Sequence, residues 1–143
     1  MADKYFAIMN SNNVVTSVEI MDADTENEGI QKVRDNHNNQ DLIVKETWPN
    51  ASGSEQRYNF ASIGGTWDPN NNAFITSQPF SSYTLNSNYK WEAPVVYPSN
   101  KEYSEDIAIG WNESNQRWEG ANQSGNIVAT WDRDWETTGA SHL

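Results

Sequence analysis

One short pattern recurs through the later part of the chain and limits its fold more than any other feature: an aromatic residue or Leu, then Asp or Asn, a polar turn, and another aromatic. It reads Trp67-Asp68-Pro-Asn-Asn-Asn-Ala-Phe74, Leu85-Asn86-Ser-Asn-Tyr-Lys-Trp91, Trp111-Asn112-Glu-Ser-Asn-Gln-Arg-Trp118 and, more compactly, Trp131-Asp132-Arg-Asp-Trp135. Asp and Asn side chains close turns by bonding to nearby backbone, and flanking aromatics pair across the strands. The pattern predicts β-hairpins, in which Trp67, Phe74, Trp91, Trp111 and Trp118 are structural aromatics. Each cross-strand pair contributes about 0.2–1 kcal/mol, which matters in a hairpin with little other core. The spacing is uneven and so does not indicate a propeller or solenoid, whose periods are fixed.

The text before residue 57 reads differently. Lys4 to Met9 and Val14 to Ile20 are two β-rich runs around the turn-forming cluster Asn10-Ser11-Asn12-Asn13, which predicts a hairpin. Thr25 stands three residues before Glu28, the spacing of a reciprocal N-terminal cap, and Ile30, Val33 and His37 follow at helical intervals. One helix over 26–37 is expected, although Gly29 in its first turn costs about 0.5–1 kcal/mol relative to Ala. Leu42 to Trp48 reads as a strand ended by Pro49, and 50–54 as an exposed loop. Further on, Ser77-Gln-Pro79-Phe80 and Ala93-Pro94-Val-Val-Tyr97-Pro98 are stiff extended connectors, because proline fixes φ and biases its predecessor toward extended geometry. After Gly120 a brief strand, 126–131, precedes a tail expected to fray.

The fold class expected is therefore mainly β with one short helix (α+β). Three regions are expected: an N-terminal hairpin, helix and strand unit over 1–56; aromatic hairpins with proline-rich connectors over 57–119; and a C-terminal extension over 120–143 with one short hairpin.

Composition removes several functions. The net charge of −11 and pI near 4.4 supply no cationic footprint for phosphates, so nucleic acid is not an expected partner. With no Cys and two His, thiolate chemistry and an imidazole metal centre have little material. No apolar run approaches the roughly 18–20 residues of a membrane span, and the five-residue apolar stretch near the start is too short for a signal-peptide core. The 12% aromatic content argues against disorder despite the low mean hydropathy.

Glu92, Glu102, Glu105, Asp106 and Glu113 could pair as glycosidase carboxylates, but in a chain with 20 acids such pairs arise by chance and read as solvated charge. Asp68-Pro-Asn70-Asn-Asn72 begins like a calcium loop, yet Ala73 and Pro79 occupy the sixth and twelfth positions; Asp22-Ala-Asp24 fails at Val33. His37 sits at a helix end and His142 in the tail, neither beside a nucleophile. Gly64-Gly65 precedes a strand rather than a helix and reads as a bend. Asn50, Asn112 and Asn122 are glycosylation sequons, relevant only in a secretory pathway. No enzyme activity, cofactor or metal is expected. The seven Trp allow two readings, a sugar-stacking platform or structural and interface area, and their recurrence at equivalent hairpin positions favours the second.

Tyr58-Asn-Phe-Ala-Ser-Ile-Gly-Gly-Thr-Trp-Asp68, Ala73-Phe-Ile75, Gln78-Pro-Phe80, Tyr83-Thr-Leu-Asn86, Trp91-Glu-Ala-Pro94, Tyr97-Pro98, Trp111-Asn-Glu113 and Trp118-Glu119 occur in that order, after an opening with Phe6-Ala7, Asn12-Asn13-Val14-Val15 and Val18. Over about residues 1–119 the chain resembles a family of small structural-type proteins common in tailed phages of marine bacteria, cyanophages above all. Two departures stand out: 99–110 is longer than the pattern, and 120–143 is an addition.

The resemblance implies a virion protein synthesised in the host cytoplasm. The expected role is non-enzymatic capsid decoration or cementing on the major capsid protein, through Phe80, Tyr97, Trp131 and Trp135 as candidate interface aromatics. The alternatives are a tail, neck or baseplate accessory and a carbohydrate-binding module on a fibre. Self-association into a homo-oligomer is compatible with either setting.

Overall fold

The run Phe6-Ala7-Ile8-Met9 is apolar at every position, so a strand that carries it must be covered on both faces. The computed structural model, which describes residues 2–99 and 106–142, covers it in that way. β1 (Ala2–Met9) is the central strand of an antiparallel sheet, between β2 (Val15–Ala23) and β3 (Ile43–Thr47). Phe6 and Ile8 pack with Val33 and Val44 beneath helix α1 (Glu26–Asn36). Ala7 and Met9 pack on the opposite face with Val15, Ala61, Trp67 and Phe74. Those last two aromatics come from the hairpin of β4 (Thr66–Asp68) and β5 (Ala73–Ile75), where they stand opposite each other with ring centroids 4.7 Å apart. The fold is mainly β with one short helix, an α+β arrangement, and the strands and helix expected upstream of residue 48 lie within three residues of their expected bounds.

Helix α1 begins as its spacing predicts. The Thr25 hydroxyl accepts from the Glu28 amide at 3.2 Å, and the Glu28 carboxylate accepts from the Asp24 amide at 3.3 Å. His37 is the C-terminal cap residue and its Nε2 lies 2.7 Å from Glu19. Gly29 has a packing reason: a Cβ there would come 2.0 Å from Cζ of the fully buried Phe6 ring. Gly29→Ala is therefore expected to destabilise the protein by about 1–3 kcal/mol, although alanine is the better helix former. Urea unfolding checks this, and Phe6→Leu in the same chain is expected to restore part of the loss.

Turns follow two forms, each closed by an Asp or Asn. Asn10, Asn86 and Asn122 each accept through Oδ1 from the amides two and four residues on, at 2.9–3.1 Å. The third residue after each, Asn13, Tyr89 or Gly125, is left-handed, which is the three-residue hairpin loop with a bulge. Asp68 and Asn112 close four-residue loops that end in the left-handed Asn72 and Gln116.

The chain divides into two compact units, residues 1–78 with 85–90, and residues 79–84 with 91–143. The change of text at residue 57 is not a boundary, because the β4–β5 hairpin supplies the second cover for β1. The short strands β6 (Thr84–Leu85) and β7 (Trp91–Glu92) flank the loop closed by Asn86.

The second unit is built on a sheet of order β11-β10-β9-β8, from β8 (Ala108–Asn112), β9 (Arg117–Ala121), β10 (Ile127–Trp131) and β11 (Ser141–His142). Register places Trp111, Trp118 and Trp131 in one row across three strands. Gly120 makes room for the end of the row: a Cβ there would stand 3.2 Å from the Trp131 ring and 2.7 Å from Ile107. Two expectations are corrected here. Trp131-Asp132-Arg-Asp-Trp135 is not a hairpin; the Asp132 carboxylate accepts from the Asp134 amide and its carbonyl from the Trp135 amide, which starts the one-turn helix α2 (Trp135–Thr138). The tail does not fray at 141–142, where it pairs with Ala129 and Thr130.

Candidate functional site

The connector expected to be extended bends at Pro94 and Val95, and the prolines at 94 and 98 donate no backbone hydrogen bond, so the carbonyls between them take donors from elsewhere. Two tryptophans provide them. Trp118 Nε1 donates to the Val95 carbonyl and Trp135 Nε1 to the Val96 carbonyl, each at 2.9 Å. Val95 and Pro98 are buried, while Val96 and Tyr97 remain 56% and 50% exposed. The connector expected at 93–98 is thus strapped onto its own unit.

A run of five rings crosses this face. Phe80 meets Tyr83 at 5.3 Å between centroids, Tyr83 meets Trp111 at 5.7 Å, Trp111 meets Trp118 at 5.1 Å, and Trp118 meets Tyr97 at 5.0 Å. Beside the run lies a cleft of about 420 Å³ whose lining includes Tyr83, Trp91, Glu92, Pro94, Tyr97 and Trp118.

Glu113 fixes the Phe80 end of the run. Its carboxylate accepts from both the hydroxyl and the amide of Ser82, from Trp111 Nε1 and from the Ser81 hydroxyl, at 2.6–3.0 Å. These bonds, the Ser82 hydroxyl first, hold the carboxyl down at a pKa of about 2. Burial, and then the Glu113 charge, push the Tyr83 phenol above its ordinary value. Because the folded pKa of Glu113 is depressed from 4.5, the latch is fully present above that value and is lost as pH falls toward 2. The Trp111 indole N–H resonance is expected to titrate with an apparent pKa near 2; a midpoint near 4.5 would refute the latch. Glu113→Ala is expected to abolish that titration and loosen 79–84.

Among the candidate interface aromatics, Phe80 and Tyr97 stand exposed at the two ends of the run. Trp135 is half-buried as a strap donor. Trp131 is 0% exposed, an internal member of the sheet. Of the hairpin aromatics, Trp67 and Phe74 fill the first unit's core, Trp111 and Trp118 form the row, and Trp91 lines the cleft. Among the described residues, Glu113 is fully engaged and Glu92 and Asp106 are exposed on separate segments; the candidates Glu102 and Glu105 lie outside the described residues. Among the described residues, no three His, Asp or Glu are grouped to hold a metal ion, and no helix is long and apolar enough to cross a membrane.

Tyr83 and the indole straps escaped sequence reasoning. Their only linear signal is a Trp far from a Pro-flanked pair of valines, 23 residues away for Trp118 and 39 for Trp135. A half-buried ion pair in the first unit, Glu26 with Arg57, escaped it as well. The chain matches no protein-family model, no curated protein and no solved structure.

Proposed function

We propose that this chain is a non-enzymatic structural protein of a tailed-phage virion, which decorates or cements the capsid by docking onto the major capsid lattice. The observation that carries the reading is the five-ring aromatic run, with Phe80 and Tyr97 exposed at its ends and Val96 beside it. Interface centres are enriched in such aromatics, and a few of them dominate binding. The resemblance of residues 1–119 to small proteins of marine tailed phages supplies the setting. A net charge of −11 calls for a basic docking surface on the partner.

Mass spectrometry of purified particles tests this. The chain is expected among the virion proteins, and its absence would sink the proposal. Copy number then assigns the position, since a shell protein is present in roughly hundreds of copies and a tail, neck or baseplate protein in about six to a few dozen.

A further inference from the structure

The second unit already holds, in its own chain, one example of a ligand that its aromatic face suits. Pro94 to Pro98 lies there as a proline-bounded segment whose consecutive carbonyls, Val95 and Val96, each accept an indole N–H. Tyr97, in the same segment, packs its ring against Trp118 at 82°. The segment bends at Pro94 and Val95, but its carbonyls meet aromatic donors as those of polyproline II segments do in aromatic grooves, where a preformed shape lowers the entropic cost of binding.

The open cleft lies against this segment, which forms most of its wall through residues 91–97, and is completed by Tyr83 and Trp118. Three of the four ring contacts along the run stand at 74°, 65° and 82° and the Phe80–Tyr83 pair is tilted at 49°, so most of the face is a series of ridges and slots. A saccharide stacks on a flat exposed ring face, whereas ridges fit the three-residue turn of a polyproline helix. A volume of about 420 Å³ lies within the usual range of ligand sites and accommodates about one such turn. Charge narrows the occupant further. Among the described residues of the second unit, seven Asp and Glu stand against Arg117 and Arg133, and Arg117 is already paired with Glu119 at 2.8 Å. Glu92 lies exposed on the cleft wall.

We propose that the cleft binds a short extended segment of a neighbouring protein, with a proline seated among Trp91, Pro94 and Trp118 and a Lys or Arg beside Glu92. The inference rests on reading this face as the docking surface and names the chemistry that docks.

The test uses the full chain and a nine-residue peptide with two prolines separated by two residues and flanked by lysines. Saturable binding is expected, followed by tryptophan fluorescence and by shifts of the Trp91 and Trp118 indole N–H resonances. Tyr97→Ala and Glu92→Lys are each expected to weaken it about tenfold. Ile63→Ala, on an exposed turn of the first unit, is expected to leave it unchanged. Circular dichroism confirms the fold of each variant, and the surface change at Glu92 remains informative if Tyr97→Ala unfolds the chain.

Equal affinity for the peptide with alanines in place of prolines, or glutamates in place of lysines, would overturn the proposal. So would a neutral hexose oligomer shifting the same resonances in the peptide's stead, or a second copy of the chain filling the cleft, seen as concentration-dependent dimerisation. Peptide binding by a chain that is absent from particles would refute the virion reading and leave the cleft's chemistry standing.

Discussion

Arg57→Ala is expected to lower the stability of the first unit by about 2–4 kcal/mol, a large part of what a domain of this size has to lose. The Arg57 side chain is only 11% exposed and pairs with Glu26 through both terminal nitrogens, at 2.7 and 3.2 Å. The same guanidinium donates to the Glu46 carbonyl and to Asn72, and its centre lies 5.5 Å from the Trp48 ring and 5.4 Å from the Trp67 ring. Removing it strands a carboxylate that is itself 28% exposed. Burial alone would raise the Glu26 pKa, but the Arg57 hydrogen bonds, the Glu46 amide and the charges of Arg57 and Lys45 together hold it below its ordinary value. A depressed carboxyl stabilises above its unfolded pKa, so this contribution is present at neutral pH and is lost as pH falls below about 4.5.

Arg57 and Tyr58 are both left-handed, at φ 60° and 68°, a conformation that costs about 1–2 kcal/mol per non-glycine residue and that the clamp must hold. Urea unfolding of Arg57→Ala, Glu26→Gln and the double variant checks the account. A coupling of about 1–3 kcal/mol is expected, and an additive cycle would refute the clamp.

Trp131→Ala is expected to destabilise the second unit by about 3–5 kcal/mol, because the ring is fully buried at the end of the tryptophan row and stands over Gly120. Trp131→Phe separates volume from polarity. Trp131 Nε1 is buried without a hydrogen-bond partner among the described residues, and such an orphan donor costs about 1–3 kcal/mol. Phenylalanine loses packing and removes the orphan, so a net change of about 1 kcal/mol or less is expected. Thermal unfolding followed by near-UV circular dichroism measures both. A loss of about 3 kcal/mol or more in Trp131→Phe would show that removing the indole N–H gives nothing back.

What was legible in the sequence was local. The Thr25–Glu28 cap, the hairpins at 10–13, 68–73 and 112–117, and the apolar run of β1 all lie within windows of a few residues, where side-chain chemistry decides backbone shape. The segment 131–135 misled because an Asp two residues before another donor can open a helical turn as readily as a reversal. Contacts between distant segments were not legible. Glu26 and Arg57 are 31 residues apart, and nothing in either neighbourhood marks the other as its partner. The strap on 95–96 is of the same kind: proline predicts an extended segment, but only the folded sheet brings Trp118 and Trp135 to its carbonyls. Of the candidate interface residues, Trp131 looked equivalent to Phe80 and Tyr97 because an aromatic after a strand reads the same whether it faces out or in.

The asparagine loops have a consequence of parity. Strand residues alternate between the two faces of a sheet, so a hairpin that closes one residue early or late exchanges its entire inner set for its outer one. Trp111, Trp118 and Trp131 share a face because the loops closed by Asn112 and Asn122 have fixed, though different, lengths and because a one-residue bulge between Ile127 and Ala129 shifts β10, without which Thr130 would stand opposite Trp118. A single miscounted residue in either loop would turn at least one of the three rings to the face that carries Gly110, Glu119 and Thr130. Polar side chains at the solvent-facing loops, together with the bulge, thereby set, within a few residues of chain and before any ring has met another, which face the three tryptophans share.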